Sequence, residues 1–158
     1  MSSRRWAARI EPVPALRFFF YGTLIAGSGN ATARAVHDRL VCLGPARTRG
    51  ALWAIPDAGG WYPALRPGNG WVHGRLYETS SGFDARDEAR LDGWEECRRK
   101  ARKQSSYWRQ PAIVLAGKAR RRAGLYLYNR KLPCGARRIS GGDFAAWLAA
   151  HGFTAYGE

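Results

Sequence analysis

Apolar residues fall in short blocks whose period changes along the chain. Leu16 to Tyr21 is one block, and its run of aromatics predicts a buried strand, because such side chains fill a covered, pleated surface. Gly22 ends it, where a glycine lets the backbone turn and approach a neighbour or ligand closely. A small polar stretch, Ile25 to Asn30, leads into Ala33, Val36 and Leu40, whose i, i+3, i+7 spacing predicts a short amphipathic helix with Asn30 as N-cap. Arg49 to Ile55 reads as a strand closed by Pro56-Asp57-Ala58-Gly59-Gly60. Trp61 to Leu65 reads as a short edge-like segment, since Pro63 has no N–H for a ladder. Trp71 to Glu78 alternates as a further strand.

The period then switches. Ser81-Gly82-Phe83-Asp84 has the form of a capping box with Ser81 as N-cap, and predicts a helix through Glu88 to about Asp92. Tyr107 to Ala116 and Gly124 to Tyr128 are strand patterns, with the arginines between them forming a hairpin tip. Ser140 to Asp143 opens a closing helix that places Phe144, Trp147 and Leu148 on one face. Strands outnumber helices and their connections are mostly hairpin-like. The expected fold class is α+β, a mixed, largely antiparallel sheet closed toward a small barrel with two or three flanking helices.

Composition narrows this picture. The 158 residues are 46% hydrophobic and 13% aromatic, enough for a core and too apolar for disorder. Residues 1–15 read as a flexible basic leader without a signal-peptide core, and residues 16–156 as a single domain. No apolar run reaches the ~20 residues of a membrane span. With Cys42, Cys97 and Cys134 odd in number and scattered, no disulfide framework is expected and the chain reads as cytoplasmic. His37, His73 and His151 show no ligand spacing, so no metal site is expected.

Charge is uneven. Residues 1–96 hold 12 lysines and arginines against 10 acids, whereas residues 97–142 hold 14 and no acid at all. The net charge is +14. Such runs suit phosphate backbones through counterion release, and equally suit solvated loops. Nucleic acid is therefore a possible partner without being the favoured one.

Two stretches carry candidate chemistry. The turn Tyr21-Gly22-Thr23-Leu24 offers backbone N–H groups and a hydroxyl to an anionic or carbonyl oxygen. Leu91-Asp92-Gly93-Trp94-Glu95-Glu96-Cys97 sets carboxylates at a helix end beside apolar residues. Together with Tyr62-Pro63, Val72-His73-Gly74-Arg75-Leu76-Tyr77-Glu78, Tyr107-x-Arg109 and Tyr126-Leu127-Tyr128-Asn129, they make the chain resemble the γ-glutamylcyclotransferase-like family over about residues 17–150. Glu95-Glu96-Cys97 looks closer to the γ-glutamylamine cyclotransferase branch, whose motif ends Glu-Ser-Cys, than to the Glu-Gly branch.

The resemblance implies a cofactor-free reaction. The α-amine of a small-molecule γ-glutamyl amine, amino acid or peptide attacks its own γ-carbonyl, 5-oxoproline forms and the attached amine leaves. It implies Glu95 as general acid/base, with Asp92 and Glu96 as competitors for that role. Backbone N–H groups of Gly22, Thr23 and Leu24, with the Thr23 hydroxyl, would hold the α-carboxylate or the developing oxyanion. Tyr21 is a pocket wall or donor, Tyr107 and Tyr126 are further substrate-binding candidates, and Arg109 reads as a sheet-surface cation. Desolvation beside Trp94 would raise the Glu95 pKa, while nearby cations would lower it. Two departures stand out: Glu96 replaces a small residue, and Arg98 to Ser106 is long and basic. The alternative function is a catalytically silent nucleic-acid- or anion-binding module using residues 98–122. A small-molecule binding domain without turnover is a third reading. Oligomeric state is not legible.

Overall fold

The three phenylalanines of the first strand divide between two cores. A computed structural model describes residues 16–24 and 31–157, the side chains of 32 and 33 excepted. The expected leader, the Ile25–Asn30 loop and the Asn30 cap lie outside these residues. Strand β1 is Arg17–Phe20. Because successive side chains alternate faces, Phe19 enters one cluster with Leu52, Leu65, Leu76, Val114 and Leu125. Phe18 and Phe20 join another with Val36, Tyr77, Leu91, Tyr107 and Tyr126. Each of these three rings is at most 3% exposed, worth about 1.5–3 kcal/mol of burial apiece.

The elements that follow are α1 (Ala31–His37), β2 (Leu40–Asp57), β3 (Gly60–Thr79), α2 (Ala85–Trp94), β4 (Tyr107–Ala116), β5 (Ala119–Tyr128), the two-residue β6 (Arg137–Arg138) and α3 (Phe144–His151), with a single 3₁₀ turn at Arg102–Gln104. The six strands form one mixed sheet in the order β3-β1-β5-β4-β2-β6, and β3 also pairs β2, so five strands bond in a ring. It is not a clean barrel. The β2–β3 and β4–β5 ladders are long antiparallel hairpins. The ring closes through single registered pairs, Phe18 with Gly124 in parallel and Arg47 with Leu115 antiparallel. The first cluster fills the ring; the second lies outside it, under α1 and α2. The expected α+β class, closed toward a barrel, is therefore what the chain adopts.

Several local expectations change. The Arg49–Ile55 strand extends to Leu40–Asp57, so Leu40 belongs to β2 and not to the first helix. Trp61–Leu65 and Trp71–Glu78 are one strand, β3. Pro63 is tolerated because β1 pairs β3 only from Arg75 onward, leaving β2 as its strand neighbour at that end. The helix cap sits three residues later than expected. Asp84 accepts from Arg86 and Asp87 N–H, and the Asp87 carboxylate accepts from Asp84 N–H, a reciprocal box that Ser81 is too distant to make. Arg120, Arg121 and Arg122 do not form a hairpin tip; they lie in β5, and the turn falls at Gly117-Lys118.

The outer face of the ring is covered only in part. At one end Phe18, Tyr77 and Tyr126 pack beneath α1 and α2. Further along, the outward positions of β2, β4 and β5 are open, with Arg47, Arg49, Arg120 and Arg122 exposed and Ile113 49% exposed.

Candidate active site

Glu95 owes its place to the way α2 ends. Glu96 N–H donates to Gly93 carbonyl at 3.2 Å and Cys97 N–H to Asp92 carbonyl at 2.8 Å. This is the double closure of a Schellman motif, which requires a left-handed residue after the cap. Glu96 supplies it at φ 50°, the one non-glycine residue with positive φ among those described. Glu95 is thereby the C-cap. Buried Cys97 anchors the exit of the chain. The left-handed turn sends the Glu96 carboxylate outward, where it accepts a hydrogen bond from the Ser106 hydroxyl.

Glu95 is half-buried and lines a cavity of about 340 Å³, within the size range of small-molecule sites. Its carboxylate makes no hydrogen bond or ion pair among the described residues. Burial, and then the neighbouring Glu96 charge, push its pKa up from 4.5 to about 8. The carbonyl end of α2 adds to that pressure, since a helix C-terminus disfavours negative charge. Desolvation thus wins over the basic segment downstream.

The Tyr21-Gly22-Thr23-Leu24 turn lines the same cavity. Gly22 is required by packing: a Cβ there would lie 2.2 Å from the Pro63 ring. The Trp94 indole N–H donates to the Thr23 hydroxyl at 3.3 Å, tying the turn to α2 one residue before Glu95. From the other side, His37 Nε2 donates to the Leu24 carbonyl at 2.5 Å. The turn is therefore clamped between both helices.

Tyr21, Tyr107 and Tyr126 also face the cavity, but their hydroxyls have partners. Tyr21 donates to the Tyr126 carbonyl and Tyr107 to the Pro63 carbonyl, each at 2.5 Å. Tyr126 donates to Asp92 at 2.7 Å. Burial raises all three pKa values, which keeps them neutral. Arg109 departs from the expected sheet-surface cation. Its side chain is 12% exposed and pairs with Asp92 at 3.0 Å and with Glu88. Asp92 is thus committed to a buried network with Arg109 and Tyr126, leaving Glu95 as the carboxylate without a partner.

Sequence reasoning missed the cavity mouth. Tyr62 and Tyr128 occur in the quoted motifs but carried no site assignment, and Asp57, Arg130 and Tyr156 carried none either; all five line the cavity. Arg130 donates to the Ser106 hydroxyl and to the Gln104 carbonyl. Tyr156, near the chain end, has no local motif; its ring contacts with Tyr62 and Trp94, each at 6.2 Å, reveal it. The basic segment is built and not loose. Ser105 is fully buried, and its hydroxyl bonds to Arg98 N–H and to the Arg98 and Ala101 carbonyls.

Among the described residues no helix is long and apolar enough to cross a membrane. The family model described as gamma-glutamyl cyclotransferase, AIG2-like, matches residues 18–146. Solved structures share the fold. YkqA from Bacillus subtilis is 22% identical with a TM-score of 0.62, over 87% of this chain and 42% of its own, so the chain spans less than half of that protein. An AIG2-like protein from Mus musculus is 22% identical with a TM-score of 0.56, over 75% of this chain and 80% of its own. The ytfP protein of Escherichia coli is 27% identical with a TM-score of 0.55, over 82% and 96%. No curated protein sequence matches the chain.

Proposed function

The chain belongs to the AIG2-like gamma-glutamyl cyclotransferase family, and from that premise we propose that it cyclises a small γ-glutamyl compound to 5-oxoproline with Glu95 as general acid/base. One observation carries the reading. A carboxylate without a partner, pushed up to about 8, shares a 340 Å³ cavity with a clamped glycine turn.

The chemistry follows in order. The substrate α-ammonium gives a proton to ionised Glu95, and the freed amine attacks the γ-carbonyl carbon. A C–N bond forms and the carbonyl oxygen gains negative charge. Backbone N–H groups of Gly22, Thr23 and Leu24 hold the α-carboxylate or this oxyanion. Protonated Glu95 then passes its proton to the leaving nitrogen, and the oxyanion re-forms the carbonyl as the original C–N bond breaks. The second proton on the ring nitrogen goes to the freed amine, so that 5-oxoproline and an ammonium depart and Glu95 is again ionised. One carboxylate serves both transfers because its pKa lies near neutrality, where acid and base forms are both accessible. Rigid walls at Tyr21, Tyr107 and Tyr126 restrict the substrate to the near-attack conformer. Orientation of this kind is worth up to about 7–11 kcal/mol in intramolecular reactions.

A panel of γ-glutamyl amines, γ-glutamyl amino acids and γ-glutamyl dipeptides, assayed for 5-oxoproline, tests the proposal. At least one class is turned over by the native chain and none by Glu95→Gln, with unchanged circular dichroism. Equal turnover by the folded variant would remove Glu95 from the mechanism.

A further inference from the structure

The bare end of the ring's outer face carries a pattern that cyclisation does not use. Pairing registers place its residues side by side. Arg49 lies opposite Trp71 and Arg47 opposite His73 on β2 and β3. Arg47 is also opposite Leu115 on β4, and Leu115 and Ile113 are opposite Arg120 and Arg122 on β5. Strand geometry sets these positions on a grid of roughly 5 by 7 Å. Four exposed arginines thus flank an apolar strip, and no acidic residue occupies any of these positions.

Ion pairing sharpens the contrast. The five ion pairs among the described residues use Arg17, Arg39, Arg90 and Arg109, and every acid in them lies on β3 near the helices or on α2. Arg47, Arg49, Arg120 and Arg122 enter none. The guanidinium carbons of Arg47 and Arg49 lie 4.1 and 3.7 Å from the Trp71 ring centroid. Arg49 also donates one Nη to the Asn69 carbonyl at 3.0 Å. Stacking on the indole holds both guanidinium planes flat, and their remaining N–H groups face solvent or a ligand such as a phosphate oxygen.

We propose that this face is a docking surface for nucleic acid, held by its phosphate backbone and not by its bases. Exposed arginines lie on both sides of the β4 strip. The Trp71 ring, covered by guanidinium groups, is not presented for insertion into a bilayer. The surface lies beyond the β4–β5 end that bears the cavity, so docking leaves the cavity open. It takes Arg120 and Arg122 from the 98–122 segment that the sequence singles out, joins them to Arg47 and Arg49 of β2, and leaves out the Arg98–Lys103 part of that segment.

The test measures anisotropy of a labelled RNA of about 20 nucleotides with the full chain, from about 50 to 300 mM salt, with mixed and homopolymer sequences compared. The expected result is binding that weakens steeply with salt and does not depend on sequence. The variant Arg47→Ala/Arg120→Ala/Arg122→Ala is expected to bind at least about tenfold more weakly at the lowest salt. Its log–log salt slope is expected to flatten by about 2, near 0.7 for each phosphate left without its arginine. Arg120→Ala alone, at an exposed strand position, flattens the slope by about 0.7 and serves if the triple variant does not fold. Arg98→Ala/Lys100→Ala/Lys103→Ala removes the same charge elsewhere and is expected to retain most binding. Absence of RNA binding by the native chain, equal losses in the two triple variants, or preference for phosphatidylserine vesicles that RNA cannot displace would each overturn the proposal. Release of 5-oxoproline is unaffected by the Arg47 set, so this outcome is independent of the catalytic reading.

Discussion

The β4–β5 hairpin passes through two environments within ten residues of strand. At one end Tyr107, Arg109 and Tyr126 point outward under α2, and each of the three has a hydrogen-bond partner. At the other, Ile113, Arg120 and Arg122 point outward in the same alternation and are exposed, with no helix among the described residues above them. The pleat is the same; the covering differs. Where a helix covers the sheet, Arg109 is held by two carboxylates and acts as scaffold. Where none does, arginines keep their charge available. An arginine's role here follows from what lies over its strand, not from the strand itself.

The largest expected effect lies at the covered end. Glu95→Gln is expected to lower kcat for 5-oxoproline release by at least about 100-fold, the lower range for a lost general acid/base. In the native chain kcat/KM rises with pH and levels off above about 8, because ionised Glu95 is the form that accepts the proton. Stability moves oppositely. A carboxyl whose folded pKa lies above its ordinary 4.5 favours folding fully below pH 4.5 and loses that contribution as pH rises to about 8. Glu95→Gln therefore melts higher than the native chain at pH 9, by on the order of 3 kcal/mol, and much closer to it at pH 5. Thermal melts at the two pH values read this directly.

Next comes the scaffold itself. Asp92→Ala leaves the Tyr126 hydroxyl without its acceptor and Arg109 with Glu88 alone, and is expected to cost about 3 kcal/mol by denaturant titration. A cost below about 1 kcal/mol would erase the distinction between held and available arginines. A smaller, opposite effect is expected of Glu96→Gly, which relieves a left-handed non-glycine residue and stabilises by about 1 kcal/mol. Removing that charge also moves the rising limb of the pH–rate profile downward. Smallest of all, Arg120→Ala/Arg122→Ala is expected to leave stability within about 0.5 kcal/mol and 5-oxoproline release unchanged.

Much of this was legible in the chain. The Phe18 to Tyr21 block, the Tyr107 to Ala116 strand and the closing helix stand close to where their periodicity puts them. The pairing of the Tyr21–Leu24 turn with Glu95 came from the family resemblance and not from periodicity; both line one cavity. The rest depended on distant pairing. Nothing local joins Trp61–Leu65 to Trp71–Glu78; β2, lying alongside both, makes them one strand. The cap shifted from Ser81 to Asp84 because Asp87 gains a second partner in Arg39, 48 residues away. Arg109 looked like a surface cation because only folding sets Glu88 and Asp92 over it.

The ring's two single-pair seams also bear on how the chain assembles. The β2–β3 and β4–β5 hairpins join neighbours in sequence and form early, at little loop-closure cost. The Phe18–Gly124 and Arg47–Leu115 seams join residues far apart and tie the hairpins together last. Native-state hydrogen exchange should therefore find the slowest amides in the middle of β2 and β3 and faster ones along the seams. Because β1 runs from one seam directly into the Tyr21–Leu24 turn, the cavity is completed only when the ring closes.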